Sequence, residues 1–189
     1  YKPAERDNWQ KMDPIEQKAG LTEDNFWHRA KVDLITILLS KACGIGGGNK
    51  EILVIGCGTG NDLAAMKKFA RKQVVWDINR EALRSINWDA IKICSDATSL
   101  PLKDSTFDVV LSLDVFEHIP DDRKAISECR RVLKKDGHLI FTVPAWACLY
   151  SSFDQQVFHV RRYDKRELEK KMAGLSQVYL SYWNWLLFP

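Results

Sequence analysis

Short apolar runs alternate with amphipathic stretches along most of this chain. Ile52–Ile55, Val74–Trp76, Ile91–Cys94, Phe107–Leu113, His138–Val143 and Val178–Tyr182 each read as a strand. Between them the apolar positions fall at helical spacing, which predicts helices over Asp62–Arg71, Glu81–Asn87, Asp121–Lys135 and Lys165–Met172. The third of these carries Ile126, Cys129 and Leu133 on one side, and Gly137 stands where a left-handed helix stop is expected. Asp164 and Glu167 form a D-x-x-E pair that caps the fourth. Ahead of the first strand a helix starts at Thr22 as N-cap, with Glu23 and Asp24 in its first turn. Phe26, Ala30, Leu34, Ile37 and Leu38 make its apolar face, and the glycines from Gly44 to Gly48 end it. Residues 1–21 are polar and without period, an arm in front of one domain over residues 22–189.

Near-continuous apolar strands separated by amphipathic helices specify an α/β fold: a doubly wound, mostly parallel sheet with helices on both faces. In such sheets ligands bind beyond the carboxyl ends of the strands, where strand order reverses. Composition changes this picture little. Hydrophobic residues make up 46% and charged residues 28%, an ordinary globular balance. The net charge of +3 is too slight to call for an acidic partner, and no long basic stripe points to nucleic acid. The five cysteines form no C-x-x-C pair, so reduced thiols in a cytosolic protein are expected, with no disulfide framework and no metal site. The most apolar stretch, residues 178–189, is broken by Ser181 and Asn184 and is shorter than the roughly 20 residues that span a bilayer.

The chemistry concentrates at strand ends. Residues 51–62 read E-I-L-V-I-G-C-G-T-G-N-D, a strand running into a glycine turn, which is needed where backbone passes close to a ligand. Asp77 ends the next strand, where it accepts hydrogen bonds from ribose hydroxyls or serves as a turn or capping carboxylate. Asn61 stands where a dinucleotide fingerprint has its third glycine. Asp96-Ala97 closes the third strand, where a carboxylate meets either an exocyclic adenine amine or its own Asx turn. A nucleoside cofactor at the carboxyl edge follows from these residues.

With L-S-L-D-V-F-E-H-I-P-D after the fourth strand and R-V-L-K-K-D-G-H-L-I-F-T-V-P around the fifth, the chain resembles the class I S-adenosylmethionine-dependent methyltransferases, small-molecule type 11 branch, from about Phe26 to Tyr182. The resemblance implies S-adenosyl-L-methionine as cofactor and S-adenosyl-L-homocysteine as product. Gly56, Cys57, Gly58 and Gly60 would then wrap the methionine portion, and Asp77 would hold the ribose with Ile78 beside the adenine. Asp96 and Ala97 would address the adenine edge, Leu113 would floor the sulfonium, and Trp27 or Arg29 would close the pocket.

Methyl transfer mainly requires alignment and dryness, and a hydroxyl or protonated amine acceptor also requires a proton acceptor. His118, Asp114 and His159 are the candidates, His118 first. The segment F-H-V-R-R-Y-D-K-R supplies Arg161, Arg162 and Tyr163, which suit an anionic acceptor or form a solvated basic helix start. Trp146 walls the acceptor pocket or plugs the core. The acceptor is expected to be small, anionic or lipid-like. A continuation past Pro189 is expected to cover it or to touch a membrane surface. The competing functions are a nicotinamide-dependent oxidoreductase and a non-catalytic cofactor-binding module.

Overall fold

The computed structural model describes residues 26–44, 48–60 and 66–183. In chain order they form α1 (Phe26–Cys43), β1 (Lys50–Ile55), β2 (Ala70–Asp77), α2 (Arg80–Ser85), β3 (Ile91–Cys94) and β4 (Phe107–Leu113). A single 3₁₀ turn (Phe116–His118) leads to α3 (Asp122–Val132) and β5 (Leu133–Thr142). A second 3₁₀ turn (Ala147–Leu149), α4 (Ser152–Gln156) and α5 (Lys165–Lys171) follow. The strands build one sheet in the order β3-β2-β1-β4-β5, parallel at every pairing. The chain winds outward from β1 to β3, then returns across β1 to β4. Strand order therefore reverses between β1 and β4.

Strand residues alternate between two apolar layers because successive side chains leave opposite faces. Leu53, Ile55, Val74, Trp76 and Val110 pack under Ala125, Ile126, Cys129 and Val132 of α3. Ile52, Val54, Val75, Val109 and Leu111 meet Ile35 and Leu39 of α1 and Leu83 of α2 on the other face. Each fully buried aliphatic side chain contributes about 1.5–3 kcal/mol of transfer free energy. The ladder is level at its carboxyl end: Ile93, Trp76, Ile55, Ser112 and Phe141 pair in one row across all five strands.

Several local expectations give way to tertiary packing. The buried stripe of α1 is Ile35 and Leu39, while Phe26 and Ile37 are exposed. Two overlapping stripes share this helix, and the sheet takes the one that meets β1. The segment 66–69 is a turn and Ala70 already enters β2, so the helix expected to reach Arg71 ends sooner; its first residues, 62–65, lie outside the described residues, as do Thr22 and the arm over residues 1–21. Helix α3 stops at Val132 because Leu133 is buried and pairs with Phe107 in the ladder. The left-handed residue beyond it is Asp136 (φ 64), not Gly137. Gly137 is needed for proximity, since a Cβ there would lie 3.0 Å from the Lys134 carbonyl and 3.2 Å from that of Asp108. Asp164 is the N-cap of α5 but makes no side-chain capping bond; its carboxylate faces the Ala147 amide at 3.4 Å. Val178–Tyr182 is not a strand, and Val178 and Tyr179 are exposed. A run of β-formers becomes a strand only with a partner edge to pair on.

A buried acid ties the segment after β5 to α3. Asp122, in the first turn of α3, accepts from the Tyr163 hydroxyl at 2.8 Å, from Lys171 Nζ at 2.6 Å and from Arg161 at 2.8 Å. Burial alone would raise its pKa, but the bonds from Lys171 and Tyr163 outweigh that and hold it below the ordinary value. An acid so depressed stabilises the fold above its unfolded pKa of about 3.9, and that contribution fades as pH falls through the lower folded value. Asp122→Ala is expected to cost about 3 kcal/mol in urea unfolding at neutral pH, because it strands Lys171 and Tyr163. Asp122→Asn should lose its deficit relative to the parent as pH drops below about 4. A constant difference across that range would rule out Asp122 as an ionised anchor.

Candidate active site

The turn after β1 is shaped by what lies against it. Gly56 (φ +68) and Gly60 (φ +90) hold the left-handed conformations that glycine adopts without strain. The amides of Gly56 and Cys57 both donate to the Trp76 carbonyl, at 2.9 and 3.2 Å, which pins the turn to the end of β2. A Cβ on Gly56 would lie 2.3 Å from a methyl of Val115, and one on Gly60 would lie 2.5 Å from the Trp88 ring. The turn is therefore packed between the loop after β4 and an indole.

Asp77 joins this turn directly. Its Oδ2 accepts from the Gly58 amide at 2.8 Å, and its Oδ1 accepts from Asn79 N–H at 2.7 Å. Asn79 in turn caps α2 by accepting from Glu81 and Ala82. Ile78 packs at the margin of the core beside Asp77. Asp96 makes the Asx turn considered above, its Oδ1 accepting from Thr98 N–H at 2.8 Å, while Ala97 is buried. Cys57 and Leu113 sit together at the rim of the second apolar layer. Arg29 is exposed on α1; Trp27 lies in the same helix, its side chain outside the described residues.

Across the reversal point stand the residues after β4. Asp114 has φ 52, a strained value for a non-glycine residue, and its carboxylate is held by Lys31 of α1 at 2.7 Å and by the Thr142 hydroxyl at 2.9 Å. Desolvation would raise its pKa, but Lys31 and Thr142 outweigh this and lower it. Glu117 and His118 are buried one turn later. Burial, with His159 next in weight, pushes His118 down to about 4, so the ring is neutral at physiological pH. His159 reaches the same place from the loop after α4, its ring centroid 4.7 Å from that of His118. Its Nδ1 bonds Asp154 at 2.9 Å and its Nε2 lies 3.9 Å from Glu117.

The basic segment splits between two buried acids. Arg162 donates to Asp154 at 2.7 Å beside His159, and the Ser151 amide donates to the same carboxylate at 2.8 Å. Burial would raise Asp154, yet the bonds from Arg162 and His159 hold it well below the usual carboxylate range. Arg161 and Tyr163 belong to Asp122, and Arg161 also donates to the Pro120 carbonyl at 2.7 Å. Trp146, half-buried and left-handed (φ 59), stacks on Tyr182 at 5.2 Å beyond β5. Sequence reading missed Glu117, Asp154, Asp122, Val115 and Trp88. The E-H pair within D-V-F-E-H was visible, but its partners lie about forty residues away and no local spacing marks them.

Comparison with known proteins bears on this geometry. Residues 53–141 match the family model described as a methyltransferase domain. A probable S-adenosylmethionine-dependent methyltransferase of Mycolicibacterium smegmatis is 27% identical over 154 residues, 79% of this chain and 58% of its own. An uncharacterized protein of Methanocaldococcus jannaschii is 36% identical over 121 residues, 63% of this chain and 51% of its own. A solved phosphoethanolamine N-methyltransferase of Haemonchus contortus, in complex with S-adenosyl-L-methionine, superposes with a TM-score of 0.61 at 22% identity, over 72% of this chain and 35% of that one. The last shares the fold. The chain spans little more than half the length of these curated relatives. No helix among the described residues is long and apolar enough to cross a membrane.

The contact between the turn and Val115 is testable by a double-mutant cycle. Gly56→Ala adds a left-handed alanine and an overlap with Val115, together about 2 kcal/mol or more of stability. Combining it with Val115→Ala should recover part of that loss, giving a coupling of about 1 kcal/mol in urea unfolding. Strict additivity would separate the two residues.

Proposed function

With residues 53–141 belonging to the class I S-adenosylmethionine-dependent methyltransferases, we propose that this chain transfers a methyl group from that cofactor to a small acceptor, anionic or lipid-like, seated beyond β4 and β5. The observation that carries the reading is the 2.8 Å bond from the Gly58 amide to Asp77, which unites the glycine turn and the ribose acid at the reversal of strand order.

The residues suit an adenosine bearing an amino-acid tail. Gly56 and Gly60 let the turn hold left-handed backbone packed against Val115 and Trp88, and the amino-acid tail runs along that turn. Asp77 is fixed by two amides at the carboxyl end of β2, and in this reading it accepts from the ribose hydroxyls. Asp96, held in its Asx turn, faces the adenine side with Ile78 and Ala97. Arg29, exposed on α1, is the described candidate for closing the pocket. The bound cofactor supplies a methyl group on a positively charged sulfur, already a good leaving group. What remains for the chain is to align the acceptor, exclude water and take up a proton.

Those tasks fall to the loop after β4 and the segment before α5. Leu113 floors the transfer path, and Lys31 and Thr142 keep Asp114 ionised at its lip. His118 and His159 stand on the acceptor side as the proton-handling groups. Arg161 and Arg162 serve this side by neutralising Asp122 and Asp154, and Tyr163 donates to Asp122, which together hold the His159 loop in place. Trp146, stacked on Tyr182, walls the outer flank.

Calorimetry with S-adenosyl-L-homocysteine should give saturable one-to-one binding, while nicotinamide dinucleotides should give none. Asp77→Ala should weaken that binding about tenfold or more, some 1.4 kcal/mol. Unchanged affinity in this variant would remove Asp77 from the ribose. His118→Gln should lower kcat, followed by release of the demethylated cofactor in an acceptor screen, far more than it lowers cofactor affinity. Equal losses would make His118 a structural residue.

A further inference from the structure

Glu117, His118 and His159 form a compact cluster outside the glycine turn. Glu117 is fully buried, the His118 residue is 3% exposed and the His159 side chain 14%. One donor atom from each lies within 4.8 Å of the others. The backbone supports this meeting, since the Val160 amide donates to the Glu117 carbonyl at 2.9 Å and joins the two segments. Both imidazoles are oriented through Nδ1. His159 turns it to the Asp154 carboxylate at 2.9 Å, and His118 turns it to the Phe158 carbonyl at 3.3 Å. Asp154 is itself fixed by Arg162 and the Ser151 amide. A histidine whose Nδ1 is held by a carboxylate or carbonyl presents Nε2 as a ligand, the arrangement found behind metal-bound imidazoles.

We propose that Glu117, His118 and His159 form a binding site for a divalent first-row transition ion, held by Nε2 of both imidazoles and one carboxylate oxygen. Two nitrogens and one oxygen suit zinc, manganese or iron, whereas magnesium and calcium prefer all-oxygen sites. Bonds of about 2.0–2.2 Å require the donors to draw in by roughly 1 Å, which side-chain rotation supplies. Cysteine spacing argues against a thiolate site, whereas these three ligands come together only in the fold. Val115, two residues before Glu117, packs on Gly56, so the cluster adjoins the cofactor turn. Three protein ligands leave a coordination position for an acceptor oxygen, whose proton becomes more acidic on the ion, so that with the ion bound it replaces the two imidazoles as the group that activates the acceptor. That use of the site rests on the methyltransferase reading; the site itself does not.

The full chain, stripped of metal with a chelator, is titrated with Co(II), Zn(II), Mn(II) and Mg(II). Co(II) should bind at one equivalent and develop visible d–d bands, and Mg(II) should not displace it. Glu117→Gln and His159→Gln should each weaken Co(II) binding by about tenfold or more, and Asp154→Asn by about tenfold as the group behind His159. Circular dichroism checks that each variant folds. Should a variant fail to fold, nitrogen NMR of the histidines in the parent decides: Zn(II) should shift His118 and His159 and leave His28 and His138 unmoved. Absence of saturable Co(II) and Zn(II) binding, undiminished binding in the folded variants, or shifts confined to His28 or His138 would overturn the proposal. S-adenosyl-L-homocysteine calorimetry on the same samples separates the two readings. Cofactor affinity without metal binding rejects the ion alone, and metal binding without cofactor affinity rejects the methyltransferase reading alone.

Discussion

Everything at the candidate site depends on the level ladder across the sheet. Ile93, Trp76, Ile55, Ser112 and Phe141 stand in one row, so the chain leaves all five strands at the same height. A shift of one residue in the β1–β2 pairing would flip every β1 side chain to the opposite layer relative to β2, and apolar burial on both faces resists it. Because the register holds, Asp77 meets Gly58 and Val115 meets Gly56 without any long-range device of their own. The glycine turn is in this sense a consequence of the strand ends rather than an independent motif.

Buried acids organise the other half of the site. Asp122 and Asp154 are both nearly inaccessible, and each draws cations and hydroxyl or amide donors from the segment between β5 and the end of α5. Breaking such a pair costs more than forming it contributes, because an uncompensated charge is left inside. The segment is therefore fixed by alternation. His159 and Arg162 turn toward Asp154, and Arg161 and Tyr163 turn toward Asp122. With Val157 and Tyr163 buried beside them, these ion pairs explain how the loop delivers His159 to His118 and Glu117.

The sheet was legible in the sequence because burial on both faces leaves long apolar runs, as in Phe107–Leu113, that no other element of this size needs. The glycine turn and Asp77 were legible because both sit directly at strand ends. What the sequence hid was of two kinds. Element ends were decided by tertiary pairing: Leu133 left its helix for the ladder beside Phe107, and Val178–Tyr182 found no edge to join. Partners were decided by distance in space. Nothing near Arg161 or Arg162 in the chain names Asp122 or Asp154, and the nearer acids Asp164, Glu167 and Glu169 offered a false balance. Glu117 was hidden for the same reason, since its significance lies in His159, forty-two residues on.

The central claim is that the level strand ends hold one adenosine with an amino-acid tail. A crystal structure of the chain with S-adenosyl-L-homocysteine tests it most directly. The ribose hydroxyls should lie within hydrogen-bond distance of Asp77, with the tail over Gly56–Gly60 and the sulfur facing Leu113. A ligand bound elsewhere, or an Asp77 turned away from the sugar, would contradict the account.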